Sequence, residues 1–285
     1  METVKLNNGV EMPILGYGVY LVEPAECERC VSEAIAAGYR LIDTAQAYYN
    51  EEGVGNAISK SGVPREEFFI TTKAWIYTNP QDARASIEQS LRKLKTDYID
   101  LLLVHQPVGD YYATYRVMEE AYREGKVRAI GVSNFYPDRF VDLAENMEIK
   151  PAVNQLRTNV FSQQWDAAKE MNRYGTRIMA WAPLAQSNED LFSNEVLKEL
   201  AAAYGKSVTQ VALRYLLQRG IIAIPKTTHR NRMEENLDVF DFSLSDAEME
   251  AISPLDREQD FQFSHRNPEL IRFLLEYNKK NPENK

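Results

Sequence analysis

Cysteine is scarce in this chain: Cys27 and Cys30 are the only two in 285 residues. That excludes a disulfide-built fold of the secreted type. The C-x-x-C spacing marks redox or metal sites in other settings. Here Pro24-Ala-Glu-Cys-Glu-Arg-Cys-Val-Ser-Glu-Ala-Ile reads as the opening of an amphipathic helix. No second cysteine pair and no nearby histidine completes a zinc site, so the two residues read as helix thiols and no metal is expected. Long apolar runs are missing: none approaches the ~20 residues of a membrane-crossing helix. The N-terminal Met1-Glu-Thr-Val-Lys-Leu-Asn-Asn-Gly has no apolar signal core. The expected setting is cytoplasmic, with no membrane partner. Basic residues are in the minority, 33 against 42 acidic, for a net charge of −9. An overall charge of that sign excludes nucleic acid as a general partner, and an anionic ligand requires a local basic pocket. There is no internal repeat, low-complexity tract or Pro/Ser-rich linker. The expected organisation is one domain over residues 1–285, with a hairpin at 1–13 and a polar C-terminal tail from about 256 that frays from Asn278.

What is present is an alternation. Short β-rich runs occur at Ile14-Leu-Gly-Tyr, Arg40-Leu-Ile-Asp, Phe68-Phe-Ile-Thr-Thr, Ile99-Asp-Leu-Leu-Leu-Val, Val127-Arg-Ala-Ile-Gly-Val, Ala152-Val-Asn-Gln-Leu, Arg177-Ile-Met-Ala-Trp and Ile221-Ile-Ala-Ile. Between them apolar residues recur at helical spacing, as with Ala83, Ile87, Leu91 and Leu94. Gly38, Gly125, Gly175 and Gly220 stand where helices should end. Eight strand–helix units imply a parallel sheet covered on both faces, and that count favours a closed (β/α)8 TIM barrel over an open doubly wound sheet. The Rossmann fingerprint is missing: Gly16-Tyr-Gly-Val-Tyr-Leu lacks the third glycine. Asn8-Gly9 between short apolar runs predicts a hairpin, placed across the bottom of the barrel.

In such a barrel the chemistry lies at the C-terminal ends of the strands. Reading along those ends gives Asp43 and then Tyr48, Lys73, His105-Gln106, Ser133-Asn134, Gln155, Trp181 and Lys226. Singly, each has an ordinary structural explanation, such as a helix cap for Asp43. Together, an acid, a phenol, an amine and an imidazole leave one face from three adjacent strands. Lys73 is expected to lower the phenol pKa of Tyr48, with Asp43 holding Lys73 charged and His105 orienting a carbonyl oxygen. That set can protonate a carbonyl oxygen as a hydride reaches its carbon. It has no nucleophile–base pair for acyl transfer. A hydride requires a cofactor. Ser133, Asn134 and Gln155 can bond a carboxamide, and Trp181 offers a flat face to a nicotinamide. Lys226, Arg230 and Arg232, with the hydroxyl of Thr227, form a local basic patch suited to a 2′-phosphate, and hence to NADPH.

These segments resemble the aldo-keto reductase superfamily. The resemblance runs from about Val4 to about Leu255. It is carried by Gly38-Tyr-Arg-Leu-Ile-Asp-Thr-Ala-Gln-Ala-Tyr, Thr71-Thr-Lys-Ala-Trp, Asp100-Leu-Leu-Leu-Val-His-Gln-Pro, Gly131-Val-Ser-Asn-Phe, Val153-Asn-Gln, Ala180-Trp-Ala-Pro-Leu and Ile224-Pro-Lys-Thr. The chain looks most like the microbial branch that includes 2,5-diketogluconate and glyoxal/methylglyoxal reductases. The resemblance implies a monomer that reduces small dicarbonyls, aromatic aldehydes or keto-sugars. It implies a tetrad of Asp43, Tyr48, Lys73 and His105. Cofactor contacts would come from Val19, Asp43, Ser133, Asn134, Gln155, Trp181, Ala182, Leu184, Lys226, Thr227, Thr228 and Arg232, with Glu235 and Asn236 at the adenine. Tyr20, Trp75 and Gln106 would line the substrate pocket. Gln106 stands where the family usually has Trp, and Arg157-Thr158-Asn159-Val160 where it usually has Glu-x-His-Pro. Two other readings stay open: an NADPH-holding sensor or regulatory subunit on the same fold, and a Schiff-base lyase using Lys73. Asp43 opposes the lyase by keeping that amine protonated.

Overall fold

The computed structural model describes residues 2–77, 79–257 and 264–281. Strands β1 (Thr3–Lys5) and β2 (Glu11–Pro13) pair antiparallel, Val4 opposite Met12. Their turn is the Asn8-Gly9 pair: Gly9 takes φ +90°, which a β-carbon disfavours, and Leu6 N–H donates to the Val10 carbonyl at 2.9 Å. Eight further strands follow in chain order: β3 (Tyr17–Gly18), β4 (Leu41–Asp43), β5 (Phe69–Ala74), β6 (Ile99–Val104), β7 (Val127–Ser133), β8 (Val153–Arg157), β9 (Arg177–Trp181) and β10 (Ile222–Ala223). Each pairs in parallel with the next. Helices run between successive strands. The alternation of the sequence is therefore the alternation of the fold.

The sheet closes on itself. Leu15 forms a parallel bridge to Ala223, Gly16 N–H donates to the Ala223 carbonyl at 2.8 Å, and Gly18 N–H to the Pro225 carbonyl at 3.2 Å. The two glycines that fail as a dinucleotide fingerprint serve this seam. A β-carbon on Gly16 would lie 2.3 Å from Leu41 Cγ, and one on Gly18 would lie 3.0 Å from the Ile224 carbonyl.

Side chains alternate along the strands. Leu41, Phe69, Leu101, Leu103, Ala129, Val153, Met179 and Ile222 fill the interior together with Leu6 and Met12 of the hairpin. Leu102, Val104, Ile130 and Val132 face outward into the helical layer. The hairpin thus plugs the N-terminal end of the barrel. Asn7 and Asn8 pin it there by donating to the carbonyls of Pro151 and Arg128.

The C-terminal region departs from the sequence reading. It does not fray from Asn278: Pro268–Lys280 is a helix. Proline occupies its first position, and the Asn267 side chain accepts from Glu269 N–H. Leu270, Ile271, Leu274 and Leu275 form an apolar stripe against the core, with Leu274 and Asn278 buried. That stripe holds down a segment whose last turn is polar. Residues 282–285, also assigned to the tail, lie outside the described residues.

Candidate active site

The C-terminal end of the barrel gathers four side chains. Asp43 is the last residue of β4, Lys73 lies near the end of β5, His105 follows β6, and Tyr48 ends a single 3-10 turn after β4. Lys73 is fully buried and spends its three donors locally. Nζ lies 2.7 Å from Asp43 Oδ1, 2.8 Å from the Thr44 carbonyl and 3.3 Å from the Tyr48 hydroxyl. The second oxygen of Asp43 accepts from Gln155 Nε2 at 2.7 Å. Burial pushes the Asp43 carboxyl up and the Lys73 ammonium down, and the short contact pulls each back toward its charged form.

Tyr48 differs from its sequence expectation. Its pKa does not fall below the ordinary phenol value, despite the Lys73 contact. Burial holds the phenol well above its ordinary range, and the Asp43 charge pushes it further in the same direction. The physical reason is that Asp43 offsets the Lys73 ammonium, so the phenol faces a net-neutral pair in a desolvated site. Tyr48 therefore keeps its proton. His105 is neutral, its pKa well below the ordinary value through burial first and the Lys73 charge second. Its Nδ1 is buried without a partner among the described residues. The His105 ring meets Tyr48 and Trp75 edge-on, at centroid distances of 5.6 and 5.1 Å. Tyr20 packs 5.0 Å from Tyr48 and is more than half exposed at the mouth.

Around this group lie the residues expected to hold a nicotinamide cofactor. Ser133 ends β7, Asn134 follows it, Gln155 lies in the middle of β8, and all three are buried. Asn134 takes φ +66°, a left-handed conformation that asparagine tolerates. Its Nδ2 donates to the His105 carbonyl at 3.2 Å, and its Oδ1 accepts from Trp181 Nε1 at 3.0 Å. The Trp181 ring is partly exposed on the mouth, followed by the left-handed Ala182 and the partly buried Leu184. Val19 adjoins Asp43, donating N–H to its carbonyl at 3.0 Å. Lys226 and Arg232 are exposed and form no ion pair among the described residues, whereas Arg230 is tied to Glu234 at 2.9 Å. Thr227 is buried, Thr228 partly so, and Asn236 is buried on the helix Arg230–Leu237. Glu235, expected at an adenine, accepts from the Ser207 and Thr209 hydroxyls. The polar lining beside an aromatic face, with two unpaired cations farther out, fits a phosphorylated dinucleotide.

The family model described as the aldo/keto reductase family matches residues 15–257. The chain belongs to the aldo/keto reductase family. Among the relatives it resembles, a glyoxal reductase of Bacillus subtilis is 46% identical over 90% of this chain and 94% of its own length. Methylglyoxal reductase DkgA of Yersinia pestis is 40% identical over 89% of this chain and 92% of its own. A solved aldo-keto reductase of Bombyx mori, in complex with NADP, superposes with a TM-score of 0.84 at 34% identity, covering 94% of this chain and 98% of that one. This aldo-keto reductase is thus an oxidoreductase on a barrel scaffold.

Several site residues escaped the sequence reading. Glu51 is buried behind Lys73 and accepts from Thr72 Oγ1 at 2.7 Å. Gln46 accepts from Trp75 N–H at 3.0 Å and from the Tyr77 hydroxyl at 2.8 Å, fixing the segment beyond β5. His265 and Tyr277 come from the C-terminal segment: His265 Nε2 lies 2.6 Å from Gln106 Oε1, and Tyr277 meets the Trp75 ring edge-on at 6.4 Å. No local pattern marks His265. The apolar spacing of Pro268–Lys280 was the available signal for Tyr277. The divergent segment after β8 forms a tight turn, Asn159 bridging Ser162, with Asn159 Nδ2 donating to the Ala182 carbonyl at 3.3 Å. It supports the loop beside Trp181.

Proposed function

We propose that this protein reduces aldehydes and ketones to alcohols with NADPH, and that Tyr48 donates the proton. The observation that carries this reading is the buried contact of Lys73 with both Asp43 and the Tyr48 hydroxyl. Bound NADPH supplies the hydride. The carbonyl oxygen gains charge as the carbon is reduced, and an alkoxide is more basic than a phenolate. A phenol held protonated by burial therefore still loses its proton downhill at that moment. Lys73, donating to the phenol oxygen, stabilises the phenolate left behind, and Asp43 keeps Lys73 in place. The neutral imidazole of His105 orients the carbonyl oxygen by hydrogen bond. Ser133, Asn134 and Gln155 would hold the nicotinamide carboxamide, the Trp181 ring would offer its face to the nicotinamide, and Lys226, Thr227 and Arg232 would receive the adenosine phosphate. Tyr20, Trp75 and Gln106 line the substrate pocket.

The relatives named for glyoxal and methylglyoxal, and the relative bound to NADP, support this assignment. Small dicarbonyls, aromatic aldehydes and keto-sugars are the substrate classes to test. The experiment is NADPH consumption against methylglyoxal, glyoxal, benzaldehydes, diketo-sugars and ketosteroids. Turnover of at least one class is expected. Tight NADPH binding with no turnover of any would overturn the reading in favour of a cofactor-holding regulatory protein.

A further inference from the structure

Beside the tetrad, the barrel mouth carries a concavity of about 420 Å³. Small-molecule sites run to roughly 300–1,000 Å³. It lies between the N-terminal turns of the helices Pro137–Asn146 and Pro268–Lys280, since Asp138 and Arg139 of the first and Pro268 of the second line it. Both turns present the positive end of a helix dipole to the same space. Three guanidiniums join them: Arg139, Arg266 and Arg272. Arg272 is engaged by Glu269 of its own helix, and Asp138 is the carboxylate among the lining residues. Arg139 and Arg266 form no ion pair among the described residues. Arg139 donates to the Pro107 carbonyl, and Arg266 lies 5.0 Å from the centroid of the Tyr136 ring. Each retains donors, a guanidinium having five. On a chain of net charge −9 this is a concentrated positive site.

The cavity adjoins the reacting centre through three residues. Asn134 lines it and donates to the His105 carbonyl. Gln106, next in sequence to His105, accepts from Asn134 Nδ2 at 3.4 Å and pairs with His265 Nε2 at 2.6 Å. An amide oxygen only accepts, so His265 donates from Nε2 to Gln106, and this pair forms part of the border that the two spaces share.

We infer that this cavity seats an anionic terminus of the substrate, a carboxylate or a phosphate, while the carbonyl at the other end meets Tyr48 and His105. The inference rests on the carbonyl-reductase reading above. Arg139 and Arg266 line one cavity and form no ion pair among the described residues; an anion seated there offsets both charges and receives directed hydrogen bonds.

The test compares matched substrates: 4-carboxybenzaldehyde with 4-methylbenzaldehyde, and glyceraldehyde 3-phosphate with glyceraldehyde. The quantity read is the ratio of kcat/KM, charged over neutral. In the native protein at least one pair should show a ratio of about ten or more. Arg266→Gln and Arg139→Gln should each lower that ratio about tenfold, the scale of one charge-assisted hydrogen bond, through KM. Arg266 is exposed, so R266Q keeps the fold; R139Q also loses its bond to Pro107 and is read against it. The pair that responds identifies the anion. Ratios near one in the native protein, or ratios unmoved in both variants, overturn the inference. A rise in the NADPH KM matching the fall in ratio also overturns it, by assigning the guanidiniums to the cofactor. Should no aldehyde turn over, the reductase reading fails separately, and calorimetric binding of 4-carboxybenzyl alcohol decides the site. Binding lost in R266Q supports an anion seat, and equal binding overturns it.

Discussion

Gln155 on β8 reaches across the barrel mouth to donate its amide to Asp43 on β4, Nε2 to Oδ2 at 2.7 Å. The residue proposed to hold the carboxamide therefore also fixes the acid that holds Lys73. Gln155→Met keeps most of the shape and removes the donor. It should lower stability in urea by about 1–3 kcal/mol, the cost of leaving a buried charged acceptor short of a partner. It should also weaken NADPH binding in the same protein. Unchanged midpoints in urea would separate the two residues.

Tyr48→Phe should reduce carbonyl turnover by roughly 10²–10⁴-fold, the contribution of a positioned proton donor. Quenching of tryptophan fluorescence by NADPH should persist with little change in Kd, because the phenol oxygen is not among the proposed cofactor contacts. Turnover near the native rate would remove Tyr48 from the reaction.

Replacing Lys226 and Arg232 together with alanine should raise the KM for NADPH about tenfold or more and leave the KM for NADH nearly as it was. Neither residue forms an ion pair among the described residues, so no structural pair breaks when they go. Steady-state kinetics with the two cofactors decides it; equal effects on both would sink the 2′-phosphate assignment.

Much of this arrangement was legible in the sequence. Parallel strands covered on both faces leave short apolar runs such as Ile99–Val104, and Gly38 ends its helix in the left-handed conformation the spacing called for. The ends of those runs then list the polar residues of the mouth in order, because a barrel sends every strand end to one face. What escaped were relations between distant positions. Nothing near Gln155 announces Asp43, 112 residues earlier. Nothing near His265 announces Gln106, and the pairing depends on where a C-terminal segment packs. The direction of the Tyr48 shift also escaped, because it depends on how completely burial outweighs a neighbouring charge.

His265 makes the fold sensitive to acid. Burial, and next the Arg139 charge, lower its pKa to about 4. An unfolded chain holds histidine near ~6.5. Above that value both states are neutral and the contribution is fully present. As pH falls toward 4 the unfolded chain takes up a proton that the folded one refuses, so stability is lost, by up to about 3 kcal/mol. His105, lowered in the same direction, adds to the trend. Urea midpoints measured from about pH 7 down to about pH 4.5 should fall more steeply for the native protein than for His265→Gln. Parallel curves would show that His265 titrates normally.

The seam where the barrel closes joins its two shortest strands, β3 and β10, with few main-chain bonds and the Tyr17 hydroxyl donating to the Thr227 carbonyl at 2.5 Å. Val19 leaves one side of that joint, and Lys226 and Thr227 leave the other. A dinucleotide held by these residues, as proposed above, would lie across the joint like a clasp. Occupancy would then stiffen the scaffold where two two-residue strands meet, and the amides of Gly16, Gly18 and Ala223 would report whether the clasp is shut.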